Sequence, residues 1–268
     1  MSPLIAALLG FVEGLTEYLP VSSTGHLILV GHLLGEHGEA ADSFDIVIQL
    51  GAILAVVVHY RALLAARARG LFTRDPHARA LLVALVVGFV PTAVAGLLLR
   101  RTIKAYLFGP GPVALALVLG GVVMIVVERL RARSHDRGLV GLEHVTARRA
   151  LLIGLGQCVS MWPGSSRSMC TIVAGQLTGL STATAAEFSF LLGLPTLGAA
   201  TLYEGYKARH TLLADVGTSS LLVGLVVSFV VAWAVIAGFI RYLQRRGLEP
   251  FGYYRVVLGI VVFWVLAR

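Results

Sequence analysis

Long apolar runs, separated by short polar or basic segments, cover residues 44–60, 80–99, 112–127, 185–203, 219–240 and 251–266. Each is close to the ~20 residues that an α-helix needs to cross the hydrocarbon core of a bilayer. Stretches such as LLVALVV do not alternate polar with apolar positions, as the strands of a membrane barrel must. Helix is therefore the spanning element, because no backbone group can stay unpaired in lipid. The pattern predicts an all-α polytopic membrane protein with six transmembrane helices in a single domain, residues 1–268.

Two polar segments interrupt this pattern and resemble each other. EGLTEYLPVSSTGH covers residues 13–26 and QCVSMWPGSSRS covers 157–168. With one residue of gap, Glu13 aligns with Gln157, Tyr18 with Trp162, Pro20 with Pro163, and Ser22-Ser23 with Ser165-Ser166. Downstream, Asp45 aligns with Glu187 and Gly51 with Gly193. The chain thus reads as two repeats, about 1–110 and 148–250, each opening on a re-entrant helical hairpin. Three spans separate the hairpins, which predicts inverted topology and brings the two serine pairs together near the midplane.

Composition supports the membrane reading: 57% of the 268 residues are hydrophobic and 13% charged, against about 25% charged in a soluble domain. The N-terminal segment is not expected to be a cleavable signal, since the first Lys or Arg is Arg61 and Glu13 and Glu17 break the apolar run. A net charge of +8 does not indicate a nucleic-acid partner, because the bases lie in short loops between spans. Fourteen of them, in 61–79, 129–149 and 241–246, fall on one face, and six, in 100–104, 207–209 and at 268, on the other. The positive-inside rule makes the first face cytoplasmic and puts both termini outside. Cys158 and Cys170 have neither zinc nor disulfide spacing and read as packing residues.

The polar segments carry the candidate chemistry. Glu13 and Glu17 share a helix face four residues apart, so one is protonated or a cation sits between them. A solvated pair at a helix end is the plainer alternative, opposed by Leu15, Leu19 and the apolar flanks. Pro20 ends the first half-helix, and Ser22, Ser23 and Thr24 cap the next, whose N-terminus forms an anion site. His26 follows Ser23 by three residues and can stand over the same turn. In the second segment Pro163-Gly164 turns the chain, Ser165 and Ser166 cap another half-helix, and Arg167 sits in its first turn, with Ser168 beside it and Thr171 four residues on. A guanidinium there opposes the helix dipole and calls for an anion, either a phosphate or one of Glu13, Glu17 and Glu187. These are parts for phosphoryl chemistry at a membrane-embedded site. Ser23 with His26 as base is the favoured nucleophile, with attack by His26 or Ser166 left open.

At these residues the chain resembles the bacterial undecaprenyl-pyrophosphate phosphatases linked to bacitracin resistance. The likeness runs over essentially the whole length, through the glutamate-rich EGLTEYLPVSSTGH block and the PGSSRS block, part of a PGxSRSxxT motif. It implies hydrolysis of undecaprenyl pyrophosphate to undecaprenyl phosphate and inorganic phosphate in the bacterial inner membrane, with the site opening to the outer face. Glu13 and Glu17 are then the metal- and substrate-binding acids, with Mg2+ or Ca2+ as cofactor. Ser23 and His26 are the catalytic pair, and Ser166, Arg167 and Thr171 bind pyrophosphate, with Ser22, Thr24, Ser165 and Ser168 completing the set. Met169 stands where the family often has glycine. The partners implied are a polyprenyl pyrophosphate and membrane lipid, a homo-oligomer being left open. An inverted-repeat transporter or flippase of a phosphorylated lipid or other anion is the alternative. Asp45, Gln49 and Glu187 are left without a role.

Overall fold

A computed structural model describes residues 1–107, 109–134 and 138–266; Arg137 and Arg268 of the charge count lie outside the described residues, as do the side chains of Arg100, Arg101 and Lys104. The described chain is helical, with one isolated bridge between Leu139 and Leu180. Among the described residues five helices are long and apolar enough to cross a membrane: α3 (Glu39–His59), α5 (Pro76–Tyr106), α6 (Pro110–Ser134), α9 (Thr182–Lys207) and α11 (Thr218–Leu243). The sixth predicted run forms α12 (Glu249–Leu266), which carries Glu249 and the buried Arg255 and is not one of the five.

Four shorter helices form two pairs: α1 (Pro3–Thr16) with α2 (Ser23–Leu34), and α7 (Ala147–Cys158) with α8 (Arg167–Leu177). At 11 to 14 residues none can cross the hydrocarbon core alone. Their boundaries follow local chemistry. Ser2 caps α1 at Ile5 N with Pro3 in the first turn, and Thr146 caps α7 at Arg149 N. The segment 61–79, read from sequence as a loop, contains α4 (Arg61–Phe72), joined to α3 through Tyr60 alone. Its alanines, leucines and arginines are strong helix formers. A single turn, α10 (Arg209–Thr211), and a π-helical turn, Leu212–Val216, link α9 to α11.

Packing between the halves is reciprocal. α1 lies against α11, where a side chain on Gly10 would collide with the backbone of Gly224 and one on Gly14 with Ser228. α7 lies against α5, where a side chain on Gly154 would collide with the backbone of Gly88. The motif alignment pairs Gly10 with Gly154, so each half lends its first short helix to the long helix of the other.

The turns correct that alignment by one residue. Ser22 caps α2 at φ 71° and Ser166 caps α8 at φ 70°, two of only three non-glycine residues with positive φ among those described. Their hydroxyls do the same work, accepting from Gly25 N and Met169 N at 3.3 Å each. Ser22 is therefore the counterpart of Ser166, and Ser23 of Arg167, with no gap. Similarity of the two Ser-Ser dipeptides suggested the gapped register; capping geometry overrides it.

Candidate active site

The two capped turns line the same cleft, of about 730 Å³. Glu17, Ser22, Ser23, Thr24, Ser166 and Arg167 line it. The first-turn amides of α2 and α8 have no intrahelical acceptor, so two helix N-termini present donors and positive dipole ends to the same space. Backbone strain at Ser22 and Ser166 costs on the order of 1–3 kcal/mol each and is typical of ligand-holding turns.

Glu17 organises the centre. Its Oε2 accepts from Ser23 Oγ at 2.7 Å and its Oε1 from Arg167 Nη2 at 2.8 Å. Both partners of this ion pair are buried. Arg167 Nη1 also donates to the Ser189 carbonyl at 2.8 Å, and the guanidinium lies 5.7 Å from the Tyr18 ring centroid. Gly193 makes room for it, since a side chain there would press on the guanidinium at 3.1 Å. Thr171 Oγ1 meets Ser189 Oγ at 2.6 Å and backs this arrangement from behind the wall. Ser189 was not singled out by sequence; a serine in an apolar helix gives little signal.

The other predicted residues lie outside the cleft lining. Ser168 Oγ donates to the Leu19 carbonyl at 2.9 Å and stitches the second turn to the first. Ser165 is buried, with its carbonyl accepting from Arg255. Glu13 is fully buried, and among the described residues neither of its carboxylate oxygens has a hydrogen-bond partner. Gln157, its counterpart, instead donates to Thr92 and Thr196, which follow Pro91 and Pro195 in α5 and α9.

The expected Ser23–His26 pair is not formed. His26 Nδ1 lies 2.8 Å from the Ser22 carbonyl, which only accepts, so Nδ1 carries the proton. Its Nε2 then accepts from the Tyr254 hydroxyl at 2.7 Å, and the two rings stack. A three-residue offset at a helix start turns His26 about the axis toward α12, while Ser23 faces Glu17.

Arg255 of α12 was missed, although an ionisable residue inside an apolar run is itself a signal of function. Its fully buried guanidinium donates to the carbonyls of Pro20 (3.2 Å), Ala116 (3.2 Å), Gly164 (2.9 Å) and Ser165 (3.1 Å). It thereby ties the turn of each motif to α6. Arg255→Met should lower the unfolding free energy by about 3 kcal/mol or more, since several buried carbonyls lose their donor together. Thermal unfolding in detergent checks this; an unchanged midpoint would show that the turns hold without the clamp.

Fold and site together define a multi-pass helical membrane protein with a buried arginine–glutamate pair between two helix N-termini. The chain belongs to the bacitracin resistance protein BacA family, which it matches over residues 6–261. It is similar to the undecaprenyl-diphosphatase of Sorangium cellulosum, at 60% identity over 97% of this chain and 85% of that protein. Undecaprenyl-diphosphatases of Rhizorhabdus wittichii and Solidesulfovibrio magneticus are 47% and 48% identical to it. The first alignment covers 100% of this chain and 99% of the relative, the second 97% of each.

Proposed function

We propose that this chain hydrolyses undecaprenyl diphosphate to undecaprenyl phosphate and inorganic phosphate, recycling the lipid carrier of cell-wall synthesis. The observation that carries the reading is the buried Arg167–Glu17–Ser23 chain between two helix N-termini. Glu17 takes the Ser23 proton as Ser23 Oγ attacks the terminal phosphorus. The bond from that phosphorus to the bridging oxygen breaks, and undecaprenyl phosphate leaves. Water then hydrolyses the phosphoseryl group, returning Ser23 and releasing inorganic phosphate. Arg167 and the first-turn amides stabilise the charge that develops on the phosphoryl oxygens. Ser166 is less suited to attack, because its hydroxyl caps α8 and bonds to Ser168. A carrier would have no use for a serine activated by a carboxylate.

A magnesium or calcium ion belongs to this reading. The Glu13 oxygens, without a hydrogen-bond partner among the described residues and one helical turn before Glu17, suit a cation. Among the described residues no group of three or more His, Cys, Asp or Glu is placed to hold one, so substrate oxygens and water would complete the shell around these two acids, as is common for magnesium. Bound there, the ion would neutralise pyrophosphate charge.

The topology proposed is six spans, with α12 the sixth, and two re-entrant hairpins, α1–α2 and α7–α8, in inverted repeats of about 1–110 and 148–250. Paired serine caps and reciprocal helix packing support it. The base count favours an outward-facing cleft and outward termini in the bacterial plasma membrane. Purified protein in detergent with added magnesium or calcium should release phosphate from undecaprenyl diphosphate, and excess chelator should stop it. No release under any divalent condition would sink the phosphatase reading; release unaffected by chelator would remove the metal from it.

A further inference from the structure

Beyond its polar end the cleft continues between α5 and α9, and the two repeats differ at this seam. At the equivalent seam the corresponding helices, α11 and α3, pack closely. A side chain on Gly51 would collide with the backbone of Leu225 and Phe229, and one on Gly224 with Phe44. Gly51 aligns with Gly193 in the second repeat, but there the glycine faces the Arg167 guanidinium and not a neighbouring helix. α5 and α9 consequently touch only sparsely. Gln157 fixes their separation through Thr92 and Thr196.

The gap is lined by Ala93, Gly96 and Leu97 of α5, Leu197 and Ala200 of α9, and Met161. It leads to the outer surface of the bundle, where Leu97 is 87% and Leu202 65% exposed. At Gly96 a side chain would meet only the Met161 sulfur, at 3.9 Å, so the seam has room beside this position. This channel is continuous with the Arg167 end of the cleft, and in a bilayer the exposed leucines at its edge would meet lipid.

Resting on the phosphatase reading, we infer that the α5–α9 seam holds the prenyl chain next to the pyrophosphate and lets the remainder pass into the bilayer, with Gly96 setting the bulk admitted. The occupant is an apolar, branched chain joined to a diphosphate. The seam side chains named above are apolar, although Gln49, Ser160, Tyr203 and Glu204 also line the cleft, and Arg167 stands at its headgroup end. The divergence of the repeats therefore opens one interhelical seam and leaves its counterpart shut.

Gly96→Leu tests this, because leucine is a better helix former than glycine and the fold should survive. The variant should raise KM for undecaprenyl diphosphate about tenfold or more, with kcat/KM for dimethylallyl diphosphate unchanged. Gly238→Leu, on a glycine of α11 with open space around it, should change neither. Equal losses on both substrates, or none on the long one, would overturn the proposal. A second readout does not need turnover: an undecaprenyl diphosphate analogue bearing a diazirine on its first isoprene unit should label peptides of α5 and α9. Labelling of α3 and α11 instead would place the tail elsewhere. Failure of wild-type phosphate release with α5–α9 labelling intact would refute hydrolysis and leave the subsite standing.

Discussion

Arg167→Ala should lower phosphate release from undecaprenyl diphosphate by about 10³-fold or more. Two losses combine. The proposed anion site loses the one guanidinium that lines it among the described residues, and removal of one such electrostatic donor costs about 10²–10³ in rate. Glu17, 6% exposed, also keeps a buried charge without its partner, which typically costs about 3–5 kcal/mol of stability. The effects separate experimentally. Arg167→Lys restores a positive charge but not the fork that reaches Glu17 and Ser189 together, so stability should largely return while activity stays about 10²-fold down. Glu17→Gln with Arg167→Met removes both charges, and should unfold near the wild-type temperature with no measurable turnover. Phosphate release and thermal unfolding in detergent measure both. If Arg167→Ala kept more than about a tenth of the activity, against the loss expected for such a donor, the phosphate site would have to be sought away from α8.

The sequence made the helical membrane class and the paired turns legible because both rest on local rules: apolar run length, serine caps and proline stops. Convergence of Glu17, Ser23 and Arg167 was also foreseeable, since each is costly at membrane depth without the others. The direction in which each side chain points was harder to read. His26 and Ser23 share the first turn of α2, yet that turn is set by positive φ at Ser22, which sequence spacing does not reveal. The gapped register failed for a related reason: the Ser-Ser match obscured the equivalence of the two capping serines. Arg255 lay in plain view inside an apolar run, but its four carbonyl partners come from three separate chain segments. The open seam depends on how sparsely α5 and α9 touch, which only their placement in space discloses.

Ser23→Ala and Glu17→Gln should each reduce turnover by at least about 10³-fold, and the double variant should be scarcely worse than either single one. The 2.7 Å bond between Ser23 Oγ and Glu17 Oε2 makes nucleophile and base one unit, and residues acting as a unit are strongly non-additive. Ser23→Ala leaves Arg167 paired with Glu17, so its unfolding temperature should stay close to wild type and its loss be chemical. Were Glu17 only a phosphate-facing or metal-binding acid, the two losses would multiply. Were His26 the base, non-additivity would appear between Ser23→Ala and His26→Ala instead. The structure argues against the latter, since Nε2 of His26 is already occupied by the Tyr254 hydroxyl and its Nδ1 by the Ser22 carbonyl. A two-by-two cycle for each pair, read as phosphate release at saturating substrate, distinguishes the three outcomes. Coupling confined to Ser23 and Glu17 assigns the proton transfer to the carboxylate that the second repeat replaced with a neutral residue, Met161, when it acquired Arg167.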